Sequence, residues 1–271
     1  MLHVLRTRRV LGFAALVLVL VPIFIALGMW QWDRFEERSA ATQRQEANAS
    51  AEPVPFAELT EVGGNVSEED RWRASTATGH YDTEHEFLVR HRSTDGGPGF
   101  YVVTPLVSAD GDAVLVNRGW VPQEGAATDG PDVPEPPGGE VTVTGNAQFA
   151  ETEENTGIRD RGGLPEGQIM LINSDVLAEQ LPYPVYGGHL ERTSEDPAPE
   201  SAPMALEPSG YNYGLNAAYA VQWWVFALIA IGGWCFLVRR ELYEHRRGGT
   251  SPGGDEDPGS HTRVQTGASL Q

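Results

Sequence analysis

The sequence contains no lysine, and all 19 of its basic residues are arginine. That excludes any mechanism built on a lysine nucleophile, a Schiff base or a P-loop lysine. There is one cysteine, Cys235, so no intrachain disulfide and no multi-cysteine zinc or iron–sulfur site can form. Positive charge is scarce. The 38 Asp and Glu against 19 Arg leave a net charge of -19, which repels phosphate backbones and excludes generic nucleic-acid binding. Catalytic signatures are missing as well: no Gly-x-Ser-x-Gly, no His-Glu-x-x-His and no phosphate-binding glycine loop occurs. The carboxylates are scattered over polar stretches and read as solvated surface. The chain reads as a non-enzyme.

What the chain does have is two long apolar runs. A mean hydropathy of -0.32 hides them. Residues 10–30 form an uncharged run of 21 residues, and 217–238 another of 22. A helix needs about 20 apolar residues to cross the hydrocarbon core. The first run exceeds the roughly 7–15 residues of a signal h-region, and no small-residue cleavage site follows it, so it reads as a retained anchor. Pro22 inside it is tolerable in a membrane helix. The expected fold class is a membrane protein with two transmembrane helices framing a β-rich α+β extracytoplasmic domain. Residues 1–9 are a cytoplasmic N-terminus, 10–30 and 217–238 the spans, 31–216 the outer domain, and 239–271 a disordered cytoplasmic tail.

Arginine placement sets the orientation. The first nine residues carry three Arg and no acid, and residues 239–247 carry four Arg with two Glu. Residues 31–216 carry 11 Arg against 33 acids, a net of -22. The positive-inside rule then places the chain in the plasma membrane with both termini cytoplasmic. Trp30, Trp32, Tyr219, Trp223 and Trp224 fall at the outer interface, as an aromatic belt would.

Within the loop, residues 33–48 are rich in Glu, Gln, Arg and Ala, and predict a helical extension of the first span. Residues 55–59 predict a short helix. Period-two alternation predicts strands at 74–81, 86–92, 99–106, 113–118 and 140–149. Asp110-Gly111 predicts a hairpin that pairs 100–106 with 114–117. Shorter strands are expected at 169–172 and 185–191, and Ser174 is expected to cap a helix over 175–180. Residues 151–167 and 191–208 read as loops.

Three sets of residues are candidates for chemistry. His80, His85 and His91 cluster in sequence and are donor types that suit copper or haem iron, although surface histidine is the simpler reading. Copper delivery is disfavoured, since the loop offers only Met170 and Met204 as soft ligands. At the span borders, Trp30, Gln31 and Arg34 leave the first span where Tyr219, Gln222 and Trp223 enter the second. A glutamine at that depth is expected to face protein, so the two helices are expected to form one cleft there. An ordinary aromatic belt with snorkelling arginine is the plainer alternative. In 114–122 a strand ends in Asn117-Arg118, then Gly119 and Trp120. Arg118 is suited to gripping a carboxylate or stacking on a ring, and Trp120 is a large apolar plate; a strand-end turn over a core tryptophan is the alternative.

Five segments in order resemble the Surfeit-locus-one family of cytochrome oxidase assembly factors. They are Leu27-Gly28-Met29-Trp30-Gln31-Trp32-Asp33-Arg34, Gly79-His80-Tyr81-Asp82, the stretch from Gly99 to Leu106, the stretch from Val114 to Pro122, and Tyr219-Ala220-Val221-Gln222-Trp223-Trp224. The resemblance covers about residues 8–242. It implies an assembly factor for haem-copper cytochrome c oxidase that assists haem a insertion or stabilises the nascent catalytic subunit. The implied partners are the membrane, the oxidase catalytic subunit and haem-synthesis proteins, and the implied cofactor is haem a, held transiently. The site implied is a haem or partner cleft of Trp30, Arg34, Arg118, Trp120, Asn216, Tyr219, Gln222 and Trp223. Haem-binding members carry a histidine near the start of the second span; Asn216 stands there in this chain, and an amide is a poor axial ligand beside imidazole. The competing class is an envelope scaffold, or a two-span structural protein like a polysaccharide chain-length regulator, which would have long outer helices.

Overall fold

The computed structural model describes residues 8–123, 125, 130–206 and 214–248. The expectations for residues 1–7 and 249–271, with His3 and His261, fall outside them. Helix α1, Arg8–Ala49, is a single helix 42 residues long with Pro22 inside it. The extension beyond the first apolar run is helical, as the Glu, Gln, Arg and Ala content predicts. Helix α4, Gly214–Gly248, extends beyond the second apolar run at both ends. Among the described residues, these two helices are long and apolar enough to cross a membrane. The chain divides into two compact units: α1 up to Glu36 belongs with α4, and Glu37–Asn212 forms the other.

The second unit is built on eight strands: β1 Val54–Pro55, β2 Ala74–Tyr81, β3 Phe87–Thr94, β4 Gly97–Val107, β5 Ala113–Pro122, β6 Val141–Gln148, β7 Gln168–Ile169 and β8 His189–Asp196. They lie in the order β1-β2-β6-β8-β5-β4-β3-β7, with β2 also pairing β4. His80 and Tyr81 meet Val107 and Leu106 there, which closes β2, β6, β8, β5 and β4 into a five-stranded barrel. Alternation decides which side chains fill it. Val114 and Val116 point inward with Leu106, Val141, Val143 and Leu190. Leu115 between them packs on the opposite face with Val89, Val103, Ile172 and Leu177. The last of these lies on the short helix α3, Ser174–Ala178.

The hairpin forms as expected, with Leu106 opposite Val114 and Val107 opposite Ala113. Several expectations are corrected. Strand β5 does not end at Arg118. Val103 pairs Asn117 while Val102 pairs Gly119, so Arg118 is the extra residue of a bulge, and the strand continues to Pro122. Gly119 is needed there: its φ is 132°, and a Cβ would overlap the Met204 carbonyl. Ser174 is not the cap of α3. Asn173 accepts from the Asp175 and Val176 amides, while the Ser174 hydroxyl accepts from the Gly188 amide. The last strand begins later than 185 and runs into the expected loop, because Val185 and Tyr186 make only isolated bridges before Gly187-Gly188 interrupts the ladder. The strand expected at 169–172 is reduced to β7, and one helical turn, α2 (Glu153–Thr156), sits in the expected 151–167 loop.

Candidate functional site

In the helix unit the side chains that meet are small or aromatic. Ala220 and Ala227 of α4 are buried, and so is Gly28 of α1. Trp223 stacks on Phe24 at 5.7 Å between ring centroids, and Trp224 tilts against Trp32 at 5.9 Å. Residues 220, 223, 224 and 227 share one helix face, and small residues along it let two backbones approach. Of the expected border set, Trp223 lies on this seam, and Gln31, three residues from Gly28, is half-buried. Trp30, Arg34, Tyr219 and Gln222 are exposed, so the structure does not bring the two triplets together as one cleft between the helices. Asn216, in the first turn of α4, is half-buried, and its Nδ2 has no hydrogen-bond partner.

Arg118 and Trp120 belong to the barrel unit and are both buried. Arg118 does grip a carboxylate and lie over a ring, but both are its own chain's. Its Nη1 lies 3.0 Å from Glu86 Oε2, its Nη2 donates to the Pro134 carbonyl at 2.7 Å, and its guanidinium sits over the Tyr81 ring. Thr104 donates to the same Glu86 oxygen. The Tyr81 hydroxyl in turn donates to Glu195 at 3.0 Å, and burial followed by that carboxylate pushes its pKa upward. Trp120 donates its Nε1 to the Arg92 carbonyl at 3.2 Å.

Among the described residues no three His, Cys, Asp or Glu side chains converge on a metal site. His80 and His91 stand exposed on β2 and β3, and His85 Nδ1 lies 2.7 Å from Asp82. The guanidinium of Arg118 is engaged internally, and Asn216 offers an amide where an imidazole would be needed. These residues therefore do not fit a haem iron.

The barrel unit carries a different feature that the sequence did not announce. A cleft of about 1280 Å³ lies between residues 41–48 of α1 and one face of the sheet. Its floor crosses five neighbouring strands: Arg92 of β3, Tyr101 of β4, Asn117 of β5, His189 and Glu191 of β8, and Gln148 of β6. Asn117 and Asn146 are both in register with Glu191, and Gln148 with His189. Arg92 pairs with Glu151, and Gln148 donates to Glu191 at 3.2 Å. Arg71 at the rim lies 4.3 Å from the centroid of Phe149. Burial, then the charges of Arg92 and Arg71, hold the His189 imidazole down to about 3, so it is neutral. Its Nδ1 has no hydrogen-bond partner. Burial pushes the Glu191 carboxyl up to about 7, with Gln148 opposing and Glu151 adding to the rise. The signal open to sequence reasoning was polar side chains, Asn117, Asn146 and Gln148, inside strands whose burial calls for apolar ones.

The model of the SURF1 family matches residues 18–228. The chain belongs to the SURF1 family. The match spans α1 from residue 18 onward, the first 15 of the 35 residues of α4, and the whole barrel. A SURF1-like protein of Mycobacterium bovis is 29% identical over 244 residues, 87% of each chain. The cytochrome oxidase assembly protein SHY1 of Saccharomyces cerevisiae is 30% identical over 104 residues, 38% of this chain and 26% of the yeast protein. Surfeit locus protein 1 of Arabidopsis thaliana is 32% identical over 111 residues, 37% of this chain and 31% of its own. This SURF1-family chain thus shares its near-full length with the mycobacterial relative and a shorter segment with the eukaryotic ones.

Proposed function

We propose that this protein is an assembly factor for haem-copper cytochrome c oxidase that acts by binding, without catalysis. The observation that carries the reading is membership of the SURF1 family, one relative of which is named a cytochrome oxidase assembly protein. In this reading α1 and α4 anchor the chain in the plasma membrane with both termini cytoplasmic and the barrel outside. The flanking arginines support that orientation, and the exposed Trp30 and Tyr219 suit a membrane interface. The partner is the nascent catalytic subunit. The exposed Trp30, Arg34, Tyr219 and Gln222 offer it a lateral surface on the helices, where the Gln222 amide finds its hydrogen bonds on protein. Of the two roles the resemblance implies, stabilising that subunit agrees better with the donors present than does axial capture of haem a. The scaffold alternative calls for an outer domain of long helices, whereas beyond the extension of α1 to Ala49 the described helices up to residue 206 reach only five residues.

Deletion of the gene tests the reading. Membranes are expected to lose the haem a signal of the oxidase and its catalytic subunit while b- and c-type cytochromes persist, and re-expression restores both. Normal oxidase content in the deletion strain would overturn it.

A further inference from the structure

A helix laid on a sheet ordinarily closes over apolar side chains. Here both surfaces mix polar and apolar side chains. The helix side presents Thr42, Arg44 and Gln45, the sheet side presents amides, an imidazole and charges, and a space of about 1280 Å³ is left between them. That exceeds the roughly 300–1,000 Å³ of small-molecule pockets. The floor also offers both hydrogen-bonding senses. His189 Nδ1 and the Arg92 Nε donor are both without a hydrogen-bond partner. Asn117 and Gln148 lie beside them in the same floor. Polar groups set side by side across neighbouring strands suit the alternating N–H and C=O of a main chain laid across them. Glu191, half-protonated near neutrality, serves either sense.

We propose that this cleft is a polypeptide-binding groove that holds an extended segment of the oxidase subunit under assembly. The partner's identity rests on the assembly reading above. The groove is cut into a domain region whose net charge is -22, so the segment it takes is neutral or basic, because an acidic one is repelled. The Trp72 and Phe149 rings at the lining provide apolar plates for its side chains.

The test uses the full chain in its own membrane. A benzophenone amino acid replaces Gln45 or Asp95 on the cleft walls, Asp110 at the hairpin tip, or Gln222 on α4. Irradiation is expected to join the two cleft positions, and not position 110, to one contiguous stretch of the catalytic subunit. In parallel, Ala41→Trp fills the cleft from the helix side, and Ala47→Trp places the same bulk on the same helix away from it. Ala41→Trp is expected to lower mature oxidase at least five-fold at unchanged protein level, and Ala47→Trp to leave it intact. Adducts from position 222 without any from 45 or 95, together with full oxidase in Ala41→Trp, would overturn the groove and leave the assembly reading standing. Normal oxidase in the deletion strain would instead remove the assembly reading, and with it the identity of the segment.

Discussion

Gly28 of α1 and Trp224 of α4 are packed so closely that a Cβ on residue 28 would overlap the indole ring. The absence of a side chain is therefore what lets the two apolar helices meet at this height. Gly28→Leu is expected to push the helices apart at a cost of about 1–3 kcal/mol, the usual penalty of overpacking. The measurement is the yield of a disulfide engineered between α1 and α4 in membranes. An unchanged yield would show that the seam tolerates the bulk.

Arg118, which is buried, and Glu86, which is 20% exposed, form an ion pair at the bulge of β5. Breaking a fully buried pair typically costs about 3–5 kcal/mol, and the partial exposure of Glu86 brings the cost below that. Arg118→Met should lower the thermal midpoint of the purified protein strongly. The double change to Met at 118 and Gln at 86 should recover part of the loss. Equal midpoints for the single and double variants would mean that the Pro134 contact, not the ion pair, sets the cost.

His189 and Glu191 tilt stability with pH in opposite senses. The native imidazole, at about 3, binds fewer protons than the unfolded one, at 6.5, so His189 makes stability rise with pH between those values. The native carboxyl, at about 7, binds more protons than the unfolded one, at 4.5, so Glu191 makes stability fall as pH rises through that window. The two slopes oppose each other between 4.5 and 6.5, which gives a plateau with losses on both sides. Thermal unfolding across pH should show Glu191→Gln removing the alkaline loss and His189→Asn removing the acid loss. A wild-type profile without a plateau would contradict the pairing.

Orientation is testable through the scarcity of thiols. With Cys235 changed to Ser, Ser108→Cys at the hairpin gives a single thiol. A membrane-impermeant maleimide should label it in intact cells as fully as in broken ones. Labelling only after disruption would reverse the topology.

Much of this was legible in the sequence. Strand β2 runs over the residues that its alternation marks, and the Asp110-Gly111 turn sets the β4–β5 register, because period and turn chemistry are local. The bulge at Arg118 was not legible: a Gly after a charged pair reads as a stop, and only the register of β4 shows that the ladder resumes. The family's border motifs were visible as residues, but their facing was not. Trp223 turns to the seam and Gln222 away from it, a distinction set by which small residues α1 offers. The cleft was hidden for a further reason. Its floor draws one or two residues from each of five strands, brought side by side only by pairings between distant segments.

Strand β8 is the last of the eight to be synthesised, yet it lies between β6 and β5 in the ring. A polypeptide cut short anywhere before His189 would lack the piece that joins the two halves, and could not settle into a smaller version of the same barrel. The ribosome must pass residue 196 before the ring can seal, with α4 following a short way downstream. Closure of the domain and delivery of its second apolar helix thus fall close together in time.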